Sequence, residues 1–85
     1  MDLKEQFEQA ASDSKSLPEK PSNETLLQLY SLYKQGSIGD VNTEPPSNPF
    51  DFVAKAKYEA WSNLKGKSTN DAMAEYIELI SRLKN

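Results

Sequence analysis

Residues 39–51, GDVNTEPPSNPFD, restrict the folds open to this chain more than any other stretch. They carry three prolines, two asparagines and three acidic residues with no helical or strand period, so they read as a loop. Loops of a dozen residues are uncommon in compact domains and usually have a functional or topological reason. About twelve extended residues at roughly 3.3 Å each reach some 40 Å, more than the roughly 24 Å of a sixteen-residue helix. The segments on either side can therefore run parallel. The connections at residues 16–21 and 65–67 are short, which favours antiparallel neighbours.

Four helical segments fit around these connections. Asp2 and Glu5 stand in capping-box spacing, and Leu3, Phe7, Ala10, Ala11 and Ser14 then recur with a helical period, predicting a first helix over 3–15. Pro18 and Pro21 end it, and Ser22 is a good N-cap for a second helix that starts near Asn23 and ends near Ile38. Gly36 or Gly39 can supply its C-terminal left-handed residue. Asp51 caps a third helix with Val53, Ala56, Ala60, Trp61 and Leu64 on one face, which runs until Gly66. The fourth opens with Ser68 and Asp71 in capping-box spacing and carries Ala72, Met73, Tyr76, Leu79, Ile80 and Leu83.

Two places on these helices ask for a function. Tyr30, Tyr33 and Lys34 lie three and four residues apart, so one helical face presents two phenol rings and an ammonium. That surface suits an aromatic, anionic ligand, although tyrosines on an amphipathic helix also serve as core filler with their hydroxyls at the rim. Lys57 falls between Val53, Ala60 and Leu64, near the middle of the stripe expected to face inward. An ammonium there snorkels to the rim, pairs, or holds an anionic ligand, because burying it unpaired is costly. Tyr76 lies within the fourth stripe, where its hydroxyl needs a partner in the bundle or at a cleft.

Composition narrows the chemistry. Eighty-five residues make one domain, 1–85, large enough to fold alone but too small for a deep catalytic cavity. The chain has no cysteine and no histidine, so disulfides, zinc thiolates, thiol nucleophiles and the commonest general base are all missing. Thirteen acidic residues against ten basic ones give a net charge of −3, which argues against nucleic acid and anionic membrane surfaces as general partners. An anionic ligand must then meet a local basic cluster. The N-terminus has no apolar run and no stretch reaches the length of a membrane span, so a cytoplasmic protein without stable membrane insertion is expected. No carboxylate pair, metal cluster or phosphate loop stands out as catalytic.

The run LYSLYKQGSIGDVNTEPP (29–46), followed by DF, KAKYEAW, NLKGKS and DAMAEYI, closely resembles the acyl-CoA-binding protein family over essentially the whole chain. The resemblance implies an all-α four-helix bundle of up, down, down, up topology, with a bowl between helices for a long-chain acyl-CoA thioester. By motif, it implies that Tyr30 and Tyr33 contact the adenine and its 3′-phosphate, and that Lys34 is a phosphate ligand. It makes Lys57 the second basic residue at that phosphate, Tyr76 the fourth-helix contact, and Lys15 a further basic contact. It implies a monomeric carrier and pool former rather than an enzyme, with acyl-CoA as ligand and no cofactor or metal.

About a dozen sheltered methylenes at roughly 0.8 kcal/mol each offer on the order of 10 kcal/mol before the costs of association, so tight binding needs no reaction. A competing reading is a small helical interaction module that docks an acidic peptide. A thioesterase lacks its usual nucleophile and base here. The chain departs from the family pattern at Tyr58, where tryptophan is usual, at Gly36, where alanine is usual, and in a loop one residue longer near residues 47–50.

Overall fold

The computed structural model describes residues 1–84. Among them, four helices carry the architecture: α1 (Leu3–Asp13), α2 (Asn23–Ser37), α3 (Phe52–Ser62) and α4 (Thr69–Lys84), with a 3-10 turn at Ser14–Ser16. Each helix begins where a short polar side chain can accept an orphan backbone N–H. Asp2 accepts from Glu5 (2.8 Å), Ser22 from Thr25 (3.2 Å), Asp51 from Ala54 (3.0 Å) and Ser68 from Asp71 (3.0 Å).

Two helices end earlier than their sequence patterns suggest. α1 stops at Asp13 rather than Lys15, where the Ser14 hydroxyl donates to the Ala11 carbonyl at 2.6 Å and the backbone tightens into the 3-10 turn. α3 stops at Ser62 rather than near Gly66. Backbone bonds from Leu64 to Trp61 and from Lys65 to Ser62 close shorter turns there, before Gly66 takes a φ of 93°.

Pairs of touching side chains give the topology. Between α2 and α3, Tyr30 meets Lys57 and Lys34 meets Trp61, so both helices advance together and run parallel. Between α1 and α4, Phe7 meets Tyr76 and Asp13 meets Lys84, again parallel. Between α2 and α4 the order reverses, with Tyr33 against Tyr76 and Gly36 facing Met73. The result is an up, down, down, up bundle in which the long loop returns along the bundle.

The buried core comes from three helices: Phe7 and Ala10 of α1, Leu29 and Leu32 of α2, and Ala72, Tyr76 and Ile80 of α4. α4 packs against both α1 and α2, while α3 leans on α2. Lys57 accordingly does not sit in a buried stripe. Val53, one turn before it, is 66% exposed, and Lys57 itself is exposed. With α2 as its main neighbour, α3 buries only a narrow seam ending in Trp61, and the rest of its apolar face stays open.

Candidate functional site

A cleft of about 910 Å³ opens between α1, the 3-10 turn, α2 and the start of α4. That volume lies within the range of small-molecule sites. Leu26, Leu29, Ala11, Leu17 and Met73 form apolar walls, and Phe7, Tyr33 and Tyr76 line it with aromatic rings. The three rings contact one another. Phe7 stacks on Tyr33 (centroids 5.3 Å, 23° between planes) and meets Tyr76 edge-on (5.2 Å, 72°), while Tyr33 and Tyr76 lie 5.9 Å apart. Such pairs add about 0.5 to 1.5 kcal/mol beyond the area they bury.

The three rings differ in exposure, and that decides what each can do. Phe7 and Tyr76 are buried at 4% exposure each and belong to the core, whereas Tyr33 is 43% exposed and offers a free ring face. Burial holds the Tyr76 phenol above its ordinary pKa, opposed by a hydrogen bond with Ser14, and the proximity of Tyr33 adds to the rise. Tyr76 therefore stays a neutral phenol at physiological pH.

Gly36 explains how α2 approaches so closely. A Cβ there would lie 3.1 Å from Phe7 Cζ and 3.2 Å from Met73 Cγ. The missing methyl lets the Phe7 ring lie directly against the α2 backbone.

Four of the sequence-derived candidates, Lys15, Tyr30, Tyr33 and Tyr76, line this cleft. Lys34 and Lys57 do not; they converge on Tyr30. The Lys34 ammonium lies 5.9 Å and the Lys57 ammonium 5.3 Å from the Tyr30 ring centroid, and Lys34 also sits 5.6 Å from the Trp61 ring. Cation–π attraction of about 0.5 to 1 kcal/mol at such half-exposed sites helps hold the two ammoniums together despite their like charge. The ion pairs among the described residues join Lys67 to Glu75, Arg82 to Glu78 and Lys84 to Asp13, leaving Lys34 and Lys57 without a carboxylate. Tyr30 thus joins two surfaces, an apolar cleft on one side and a cationic rim on the other.

Sequence reasoning missed the cleft roles of Phe7 and Met73, which it placed only in the helical periods of α1 and α4, and those of Leu26 and Leu29 on α2. It also missed Lys4, a second amine at the mouth beside Lys15. Only the antiparallel placement of α2 on α4, which Gly36 permits, brings these residues around one opening.

A helical bundle whose apolar cleft ends at paired ammoniums over a tyrosine is the architecture of a binding protein for an amphipathic anion. The sequence profile of the family described as Acyl CoA binding protein matches residues 4–80, so the chain belongs to that family. An acyl-CoA-binding protein of Ricinus communis is 47% identical over 83 residues, covering 98% of this chain and 91% of the relative. One from Saccharomyces cerevisiae is 49% identical over 77 residues, covering 91% and 87%. Among solved structures, that of Oryza sativa Acyl-CoA-Binding Protein 2 superposes with a TM-score of 0.90 at 43% identity, covering 96% of this chain and 90% of that one. The solution structure of the yeast acyl-coenzyme A binding protein gives 0.74 at 49% identity, covering 91% and 88%.

Proposed function

We propose that this chain binds one molecule of a long-chain acyl-CoA thioester and acts as its carrier and pool former. The observation that carries the reading is the placement of Tyr30, which borders the apolar cleft and lies beneath two unpaired ammoniums at 5.3 and 5.9 Å. An acyl-CoA has the same division, an apolar chain joined to an aromatic base and several phosphates. In this reading the chain shelters against Leu26, Leu29 and Met73, and the adenine meets the tyrosines. Lys34 and Lys57 hold the 3′-phosphate by charge-assisted hydrogen bonds of about 1.5 to 3 kcal/mol each. Tyr76 supports the aromatic wall, and Lys15 adds charge at the mouth.

Family membership supports a carrier over an enzyme, as does a sequence without histidine or cysteine. No described helix is long and apolar enough to cross a membrane. A monomer working in the cytoplasm, without a cofactor, metal or nucleic-acid partner, is the simplest setting for such a carrier.

A thermal shift tests the reading against the acidic-peptide alternative. A ligand at a hundred times its Kd stabilises the folded chain by about 2.7 kcal/mol, so palmitoyl-CoA is expected to raise Tm clearly. A glutamate-rich peptide that raises Tm while palmitoyl-CoA does not would reverse the assignment.

A further inference from the structure

The two ammoniums over Tyr30 belong to different helices, so their meeting depends on how α3 is seated on α2. The seat is a set of polar bonds between the end of α2 and the junction of α3 with α4. Gln35 is fully buried, and its amide donates to Asp40 (2.9 Å) and to the Lys67 carbonyl (2.8 Å). The same Asp40 oxygen accepts from the Gly66 N–H at 2.8 Å. The Trp61 indole, 4% exposed yet outside the main core cluster, donates to the Gly39 carbonyl at 2.9 Å. The Gln35–Asp40 bond is local, and the other three join residues 22 to 32 positions apart in sequence, across the long loop.

Their placement connects them to the rim. Trp61 lies one turn beyond Lys57 on the same face of α3, and Gln35 directly follows Lys34 on α2. The Lys34 ammonium rests near the Trp61 ring while that ring is tied to Gly39. A shift of α3 along α2 would therefore move Lys57 away from Tyr30 and Lys34 together. These bonds act on that register beside the direct packing of α3 on α2, a seat that leaves Phe52 and Val53 exposed. Asp40 does not line the cleft.

From this geometry we propose that Asp40 is a positioning residue for ligand recognition. It locks α3 to α2 so that Lys34 and Lys57 present their charges at one point, the one assigned above to the 3′-phosphate. The proposal rests on the acyl-CoA reading and adds a residue that no ligand atom needs to touch.

The test compares affinities for palmitoyl-CoA and its 3′-dephospho ester, by calorimetry, in the wild type, Asp40→Ala, Asp40→Asn, Lys57→Ala and the Asp40→Ala/Lys57→Ala double variant. Asp40→Ala is expected to lose about tenfold in affinity for palmitoyl-CoA, the scale of one weakened charge-assisted hydrogen bond, and little for the dephospho ester. Asp40→Asn keeps an acceptor oxygen for Gln35 and Gly66 and should restore most of that loss. The double variant should bind no more than about twofold worse than Lys57→Ala, because Asp40 acts through Lys57. Amide exchange at Gly66 should quicken in Asp40→Ala and follow the affinity loss.

Equal losses for both esters, or losses that add to those of Lys57→Ala, would show a general structural role and overturn the positioning proposal alone. A wild type that does not distinguish the two esters would overturn the 3′-phosphate assignment and the proposal with it. Should Asp40→Ala not fold, Trp61→Phe removes the Gly39 bond while keeping a ring. Its loss should again be confined to the phosphorylated ester, and an equal loss on both esters would overturn the proposal.

Discussion

The two sides of α2 are built from different materials. Toward α1 and α4 it buries Leu29 and Leu32 in an apolar core and lays Tyr33 against Phe7 and Tyr76. Toward α3 it offers Tyr30, Lys34 and the Gln35–Asp40 bonds, and the partner helix brings an exposed Lys57 and a single buried ring, Trp61. The first side holds the fold because burial and ring contacts are worth several kcal/mol per residue. The second holds a geometry, because half-exposed charges and polar bonds contribute little net stability but fix positions. Substitutions on the two sides should therefore separate stability from affinity.

The largest effect is expected in the core. Phe7→Ala removes the ring that both tyrosines contact, and such truncations cost about 3 to 5 kcal/mol. Urea unfolding of the free protein measures this, and a loss below about 1 kcal/mol would mean that the aromatic cluster is not the centre of the fold.

Across α2 the balance should invert. Lys57→Ala is expected to cost about 1.5 to 3 kcal/mol of affinity for palmitoyl-CoA. The free protein should keep its stability within about 0.5 kcal/mol, since the side chain is exposed and unpaired. If the variant also lost several kcal/mol in urea, the two sides would not be separable.

Tyr33→Ala sits at the boundary. Its exposed ring face should contribute about 1 to 3 kcal/mol of stacking to ligand binding. A variant that unfolds easily yet binds normally while folded would return Tyr33 to the core.

Much of this division was legible in the sequence. Asp2, Ser22, Asp51 and Ser68 marked the helix starts, and the long loop implied parallel α2 and α3. The spacing of Tyr30, Tyr33 and Lys34 implied one surface, whereas the bundle divides it, with Tyr33 turned to Phe7 and Tyr76, Lys34 to Trp61, and Tyr30 between them. What was not legible depended on partners. The α3 periodicity implies one inward face around Lys57, but periodicity cannot say how many neighbours a helix has, and α3 has chiefly one. Nothing in the spacing singles out Gln35, which lies buried against the returning α3–α4 junction. Gly36 reads as a helix stop, whereas its value lies in the Phe7 ring packed against it.

That last point gives a smaller test of the aromatic side. Gly36→Ala gains helix propensity of up to about 1 kcal/mol. It also forces a methyl to 3.1 Å from a Phe7 ring confined between Tyr33 and Tyr76. Overpacking of this kind costs about 1 to 3 kcal/mol, so the variant should be about 1 kcal/mol less stable and the cleft narrower. A clear gain in Tm would mean that Phe7 can move aside freely.

The smallest effect concerns acid. The Gly66 N–H, and after it the Gln35 amide, hold Asp40 below the ordinary carboxylate value of 3.8. As pH falls, the unfolded carboxyl takes up its proton first, so the stability Asp40 contributes is present above that value and is lost as pH drops through the lower folded pKa. Asp40→Asn should thus be slightly less stable than the parent near neutrality and lose less between about pH 5 and pH 3. An unchanged acid slope would show that these bonds do not discriminate between the protonation states.

The most direct test of the account is a calorimetric titration of the unmodified chain with palmitoyl-CoA and, separately, with palmitate. A cleft and a cationic rim that work together predict one molecule of palmitoyl-CoA per chain and far weaker binding of the free acid, which brings no nucleotide to Tyr30, Lys34 and Lys57. Equal affinities for the two would contradict the account, leaving an apolar cleft whose rim recognises nothing.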